Sequence, residues 1–129
     1  MTQQQTVEQK RAAQAWAYVA QAKNKGEVHA GKYGGWVKRL PALMLTNGLG
    51  QTLAFLRAKG KNESAAQDLY DNLSDWVIDQ VGSGQGSLLE WLLKEDSTDY
   101  RRATTETLAF LNWLKRFAEA ELKIVEVKD

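Results

Sequence analysis

Residues 64–81 read SAAQDLYDNLSDWVIDQV, and the placement of charge within them decides the fold class. Asp68, Asp71, Asp75 and Asp79 are spaced by 3, 4 and 4 residues. At about 100° per residue all four lie on one stripe of an α-helix. Leu69, Leu73, Trp76 and Val77 fall on the opposite side by the same count. The segment from Ser64 to just before Gly82 therefore reads as an amphipathic helix with an acidic outer face.

Outward from this helix the same period recurs, and only residues 122–128 alternate convincingly with period two. Towards the start of the chain, Thr6 is a plausible N-cap for a helix running to Lys25 and ended by Gly26. Its expected inner face holds Ala12, Ala13, Trp16, Val19, Ala20 and Lys23. A short helix is expected from Tyr33 to Arg39. Pro41 then opens a third, to Lys59, because the first turn tolerates the missing N–H of proline. Leu45, Leu49, Leu53 and Leu56 make one apolar face of that helix, and Gly48 and Gly50 suggest close approach of a neighbouring helix. Beyond 64–81, Gly82-Ser83-Gly84-Gln85-Gly86 reads as a flexible connector. A short helix from Leu88 to Lys94, with Trp91 inward, and a long one from Thr98 to Leu122 complete the chain. On the last helix Leu108, Leu111, Leu114, Ala118 and Leu122 form the apolar face. The expectation is an all-α protein: a single-domain bundle of about six helices over residues 1–129, with no sheet, its core in 6–122 and a tail at 123–129.

Composition narrows the function. The chain has 129 residues, 43% of them hydrophobic, with five Trp, four Tyr and three Phe, enough large side chains to order a core of this size. It has no Cys and one His, His29. Disulfides, thiolate metal sites and a cysteine nucleophile are excluded, and a zinc site or histidine triad would need unusual partners. His29 reads as an ordinary loop residue, and neither metal nor cofactor is expected. Gly26 to Tyr33 follows the phosphate-loop pattern for seven positions, then has Tyr33 where Ser or Thr should ligand magnesium, and it follows a helix rather than a strand. The uncharged stretch from Leu40 to Leu56 is 17 residues long and contains Pro41, Asn47, Gln51 and two Gly, so it reads as a core helix and not a membrane span. Met1 to Gln9 lacks a basic-then-apolar run, and a cytoplasmic location is expected.

The formal charge of +1 hides a division along the chain. Residues 1–62 carry about +8, residues 63–100 about −8 and the remainder about +1. Such polarity suits one surface that meets an anion and another that meets a basic partner. The candidate anion contacts are Lys23, Lys25, Lys32, Lys38, Arg39, Lys59 and Lys61, with Arg101, Arg102, Lys115 and Arg116 on the last helix. Tyr33, Trp36 and Trp113 are interleaved with them, and aromatic faces beside cations suit a single-stranded nucleic acid. The candidate subunit contacts are Asp68, Asp71, Asp75 and Asp79, whose mutual repulsion a basic partner would relieve, and Trp113.

Two blocks are specific enough to carry a resemblance. Tyr33-Gly34-Gly35-Trp36-Val37-Lys38-Arg39-Leu40-Pro41-Ala42-Leu43 runs on through Thr46-Asn47-Gly48-Leu49-Gly50-Gln51. Tyr100-Arg101-Arg102-Ala103-Thr104 runs on to Leu111-Asn112-Trp113-Leu114-Lys115-Arg116-Phe117-Ala118-Glu119-Ala120. In content, order and separation these resemble the hallmark segments of the small helical subunit of the type III-B CRISPR (Cmr) RNA-targeting complex. Residues 123–129 have no place in that pattern. The resemblance implies an all-helical, non-catalytic accessory subunit of an RNA-guided ribonuclease complex in antiviral defence. Copies of it would stack into a minor filament and line the path of guide RNA and single-stranded target RNA. Its partners would be the backbone subunits, the large polymerase-like subunit and copies of itself. The alternative is a free-standing helical adaptor that binds only proteins. Salt-dependent binding of single-stranded RNA separates the two.

Overall fold

Thr6 opens the first helix with a reciprocal pair of bonds: the Gln9 amide donates to Thr6 Oγ1 at 3.0 Å, and the Thr6 amide donates to Gln9 Oε1 at 2.8 Å. The structure, a computed structural model, describes residues 5–82 and 86–129. Among these are five helices and no strand: α1 (Val7–Asn24), α2 (Glu27–Gly60), α3 (Ser64–Val81), α4 (Leu88–Leu92) and α5 (Ser97–Glu121). The all-α class expected from the pattern is observed. Residues 83–85 of the Gly82–Gly86 connector, and residues 1–4, lie outside the described residues.

The count is five rather than about six because the helix expected to begin at Pro41 is continuous with the one before it. Proline's φ is already helical, and the helix runs through it at the cost of the bond its N–H would have made to the Val37 carbonyl and of crowding between its ring and that carbonyl. The break comes at Gly48, at φ 83° and ψ 166°, a backbone conformation that side chains disfavour. Angular counting cannot be carried across such a kink. Leu49, Leu53 and Leu56 are fully buried as expected, whereas Leu45, before the kink, is 86% exposed. The neighbour met by the two glycines is a side chain of α5: the Gly50 amide donates to the Tyr100 hydroxyl at 2.7 Å. That bond satisfies one of the amides orphaned at the restart of the helix. It also joins the two sequence blocks to each other.

His29, read as a loop residue, stands in the first turn of α2. One of its ring nitrogens lies 3.2 Å from Ser64 Oγ and the other 2.9 Å from Asp68 Oδ2. Gly26 to Tyr33 is helical from Glu27 onward, with Gly26 at φ 104° as its cap, so no phosphate cradle forms there.

One apolar cluster takes residues from every helix. The inner face of α3 is as counted, with Leu69, Leu73, Trp76 and Val77 buried. On α5 the buried set is Ala103, Thr107, Phe110, Leu111, Leu114 and Ala118, while Leu108 is 36% exposed. On α1 the face is rotated from expectation. Ala15, Val19 and Ala22 are buried, and Trp16 is 48% exposed, packed edge-on against Phe117 at 5.1 Å between ring centroids.

Where α1, α3 and α5 meet, Phe110 has Trp76 stacked on it at 5.1 Å and Tyr18 edge-on at 5.9 Å. Beside it the Arg11 guanidinium donates to Glu106 at 2.7 and 2.8 Å, and the Trp76 indole donates to Glu106 at 2.8 Å. Burial pushes the Glu106 carboxyl upward, but the bonds from Arg11 and Trp76, with the charge of Arg11, outweigh it and hold the group below its usual range.

Candidate nucleic-acid and subunit interface

The basic candidates divide by whether the fold neutralises them. Lys23 pairs with Glu121 at 3.2 Å, Lys25 with Asp68 at 2.5 Å, and Arg102 with Asp99 at 3.2 Å. Lys32, Lys38, Lys61, Arg101 and Arg116 are exposed without an ion pair among the described residues, and Lys115 is half-buried. Lys59 is half-buried, its ammonium 5.9 Å from the Trp36 ring centroid and 5.8 Å from that of Phe55. Lys38, Arg39 and Lys59 sit on α2, and Lys61 follows at its end.

Residues 123–129, which the sequence could not place, run along this part of α2. The Val125 amide donates to the Gly31 carbonyl at 3.1 Å. Gly31, Gly34 and Gly35 recur at i, i+3 and i+4, and the segment lies against them. A β-carbon at Gly34 would stand 2.7 Å from Ile124, and one at Gly35 would overlap the Val125 carbonyl and the Val127 side chain. The segment closes on a bidentate pair, Arg39 Nε and Nη2 donating to the Asp129 carboxylate at 2.8 and 2.6 Å. That pair holds Asp129 below the usual carboxylate range and raises Arg39. Gly35, Lys38, Arg39 and residues 124–129 line a groove of about 770 Å³. The signals for it were the glycine spacing and the alternating tail, but nothing local connects them.

The acidic candidates also divide. Asp68 is half-buried and spent within the fold, on Lys25 and His29. Asp71 accepts from Gln67 at 2.9 Å, and Asp71, Asp75 and Asp79 are exposed with no ion pair among the described residues. Partial burial, and then the neighbouring charge of Asp71, push the Asp75 carboxyl above its usual range. Burial is the larger cause, and repulsion from Asp71 adds to it.

The aromatic reading needs correction. Tyr33 and Trp36 are completely buried, Tyr33 accepting from Asn72 at 2.8 Å, so neither can stack on a base. A helix this rich in glycine sinks deep between its neighbours and takes its aromatics with it. Trp113 is half-buried, tilted against Phe117 at 5.5 Å and donating to Glu8 at 3.0 Å. The large aromatic most exposed to solvent is Trp16.

A family model described as CRISPR-associated protein (Cas_Cmr5) matches residues 7–121. The chain belongs to the Cmr5 family. The curated CRISPR system Cmr subunit Cmr5 of Thermus thermophilus is 33% identical over 114 residues, covering 84% of this chain and 93% of that protein. The crystal structure of a CRISPR-associated Cmr5 family protein, also from Thermus thermophilus, superposes with a TM-score of 0.75 at 32% identity, over 92% of this chain and 99% of that one. The resemblance carried by the two blocks, to the small subunit of the Cmr complex, therefore stands. The Cmr5 match ends at residue 121, so the segment on the glycine face of α2 lies outside it. Among the described residues no helix of this Cmr5 family member is long and apolar enough to cross a membrane, and no three His, Asp or Glu gather as metal ligands would.

Proposed function

We propose that this Cmr5 family protein is a non-catalytic structural subunit of the type III-B CRISPR Cmr ribonucleoprotein complex, stacking with copies of itself and lining the guide and target RNA path. The observation that carries the reading is the family match over residues 7–121. The chain's own surface supports it in two ways. Asp71, Asp75 and Asp79 form an exposed acidic row without internal ion pairs among the described residues, the feature that docking on a basic face of a neighbouring copy or backbone subunit would use. Lys38, Arg39, Lys59 and Lys61 cluster along and just beyond α2, as sequence-independent contacts to phosphates require when pairing with the guide reads the sequence. Arg101, Lys115 and Arg116 on α5 would add further phosphate contacts.

The test is copurification from the native host. The tagged chain is expected to bring down the other Cmr subunits together with short guide RNA. Recovery of proteins without RNA, and no binding of single-stranded RNA by the free protein at low salt, would replace this reading with that of a protein-only adaptor.

A further inference from the structure

The Arg39–Asp129 pair is built like a ligand contact. The guanidinium presents Nε and Nη2 as a parallel fork, at 2.8 and 2.6 Å from the two carboxylate oxygens. This planar arrangement serves carboxylate and phosphate alike. Both side chains are open to solvent, 38% exposed for Arg39 and 46% for Asp129. Three further cations surround the pair. Lys38 and Lys128 line the same groove, and the charge of Lys59 reaches Asp129 and helps to hold it ionised. Among side chains, Lys38, Arg39 and Lys128 line the groove against Glu126 and Asp129, and Lys59 adds a fourth cation from beside it, so the side chains leave the site cationic even when Asp129 fills it.

We infer that Arg39, with Lys38, Lys59 and Lys128 around it, is a binding site for a backbone phosphate of single-stranded RNA, and that the Asp129 carboxylate occupies this site in the free protein. The inference rests on the RNA-lining reading above and narrows it to one site with a built-in competitor. A phosphate that enters takes over the Arg39 fork and gains Lys38 and Lys128, for which no ion pair with Asp129 is seen. Displacing the segment breaks few other polar contacts. The Val125 amide bond to Gly31 is one, and the Lys123–Glu27 pair at 3.1 Å is another, but its side chains are 85% and 69% exposed. RNA binding therefore frees the end of the segment from α2, which couples occupancy of the site to exposure of the glycine face.

The test is fluorescence anisotropy of a labelled 20-nucleotide oligouridylate at low salt, with the full chain and three variants whose fold is verified by circular dichroism. Asp129→Asn removes the competing charge and is expected to tighten binding about threefold. Arg39→Ala is expected to weaken it, and the double variant to bind like Arg39→Ala alone. If Asp129→Asn binds no tighter than the wild type, or if the gain survives in the double variant, the competition does not exist, while RNA binding itself stands. If no protein binds the oligonucleotide at any salt concentration, the RNA-lining reading falls and takes this inference with it.

Discussion

Two regions of this bundle use charge in opposite ways. Between α1, α3 and α5 the charged groups are consumed: Arg11, Glu106 and the Trp76 indole satisfy one another beside the stacked rings of Trp76 and Phe110, with the side chains of Arg11 and Glu106 only 14% and 11% exposed. Between α2 and residues 122–129 the packing surface is glycine and the charges stay at the rim, in pairs that water reaches. In the first region these charged groups are already satisfied within the fold. The second holds its segment by glycine-face packing and few polar contacts, and Lys38 and Lys128 beside it make no ion pair among the described residues. Stability is concentrated in the first region, and the recognition proposed above falls in the second.

The sharpest way to break this comparison is at Phe110, fully buried between Trp76 and Tyr18. Phe110→Ala should lower the unfolding free energy by about 3–5 kcal/mol, read from urea denaturation. A loss below about 1 kcal/mol would show that the α1–α3–α5 junction is not the stable region.

Next comes Glu106. Replacement by Gln removes the charge that accepts from Arg11 and Trp76, with an expected loss of about 1–3 kcal/mol at neutral pH. Because the folded carboxyl lies below its usual range, its stabilisation is complete above the unfolded value and is lost as the pH falls through the depressed folded value. The wild type should therefore lose stability below about pH 4 more steeply than Glu106→Gln does, and parallel acid limbs would remove this pair from the account.

The smallest effect on stability, and the largest on local order, belongs to Gly35. A β-carbon there overlaps the Val125 carbonyl and the Val127 side chain. In Gly35→Ala the gain in helix propensity, under about 1 kcal/mol, offsets part of the lost packing. Global stability should change by no more than about 1 kcal/mol while the amide of Val125 loses its protection from hydrogen exchange. Protection that survived would mean that the segment is not held by the glycine face.

The same contrast governs how far the sequence can be read. The inner face of α3 is legible because its apolar and acidic residues are sharply segregated at helical spacing. The face of α1 is not, since its six alanines are spread around the helix and give little contrast, and the bulk of Trp16 then draws the expected inner face towards it. Leu45 is misplaced because the angular count assumes an unbroken helix, and only the three-dimensional fit of Tyr100 against Gly48 and Gly50 sets the kink. Among the site residues, Lys23 and Lys25 are paired with Glu121 and Asp68, 98 and 43 residues away, distances over which no periodicity speaks. The bidentate hold of Asp129 on Arg39 spans 90 residues and is equally hidden.

Most depends on the acidic row of α3 being a surface for partners rather than a solvated face. Its direct test is assembly of the Cmr complex with the tagged Asp71→Lys/Asp75→Lys/Asp79→Lys triple variant. The variant is expected to keep its helical circular dichroism and to be missing from the purified complex. Incorporation at the wild-type level would contradict the account.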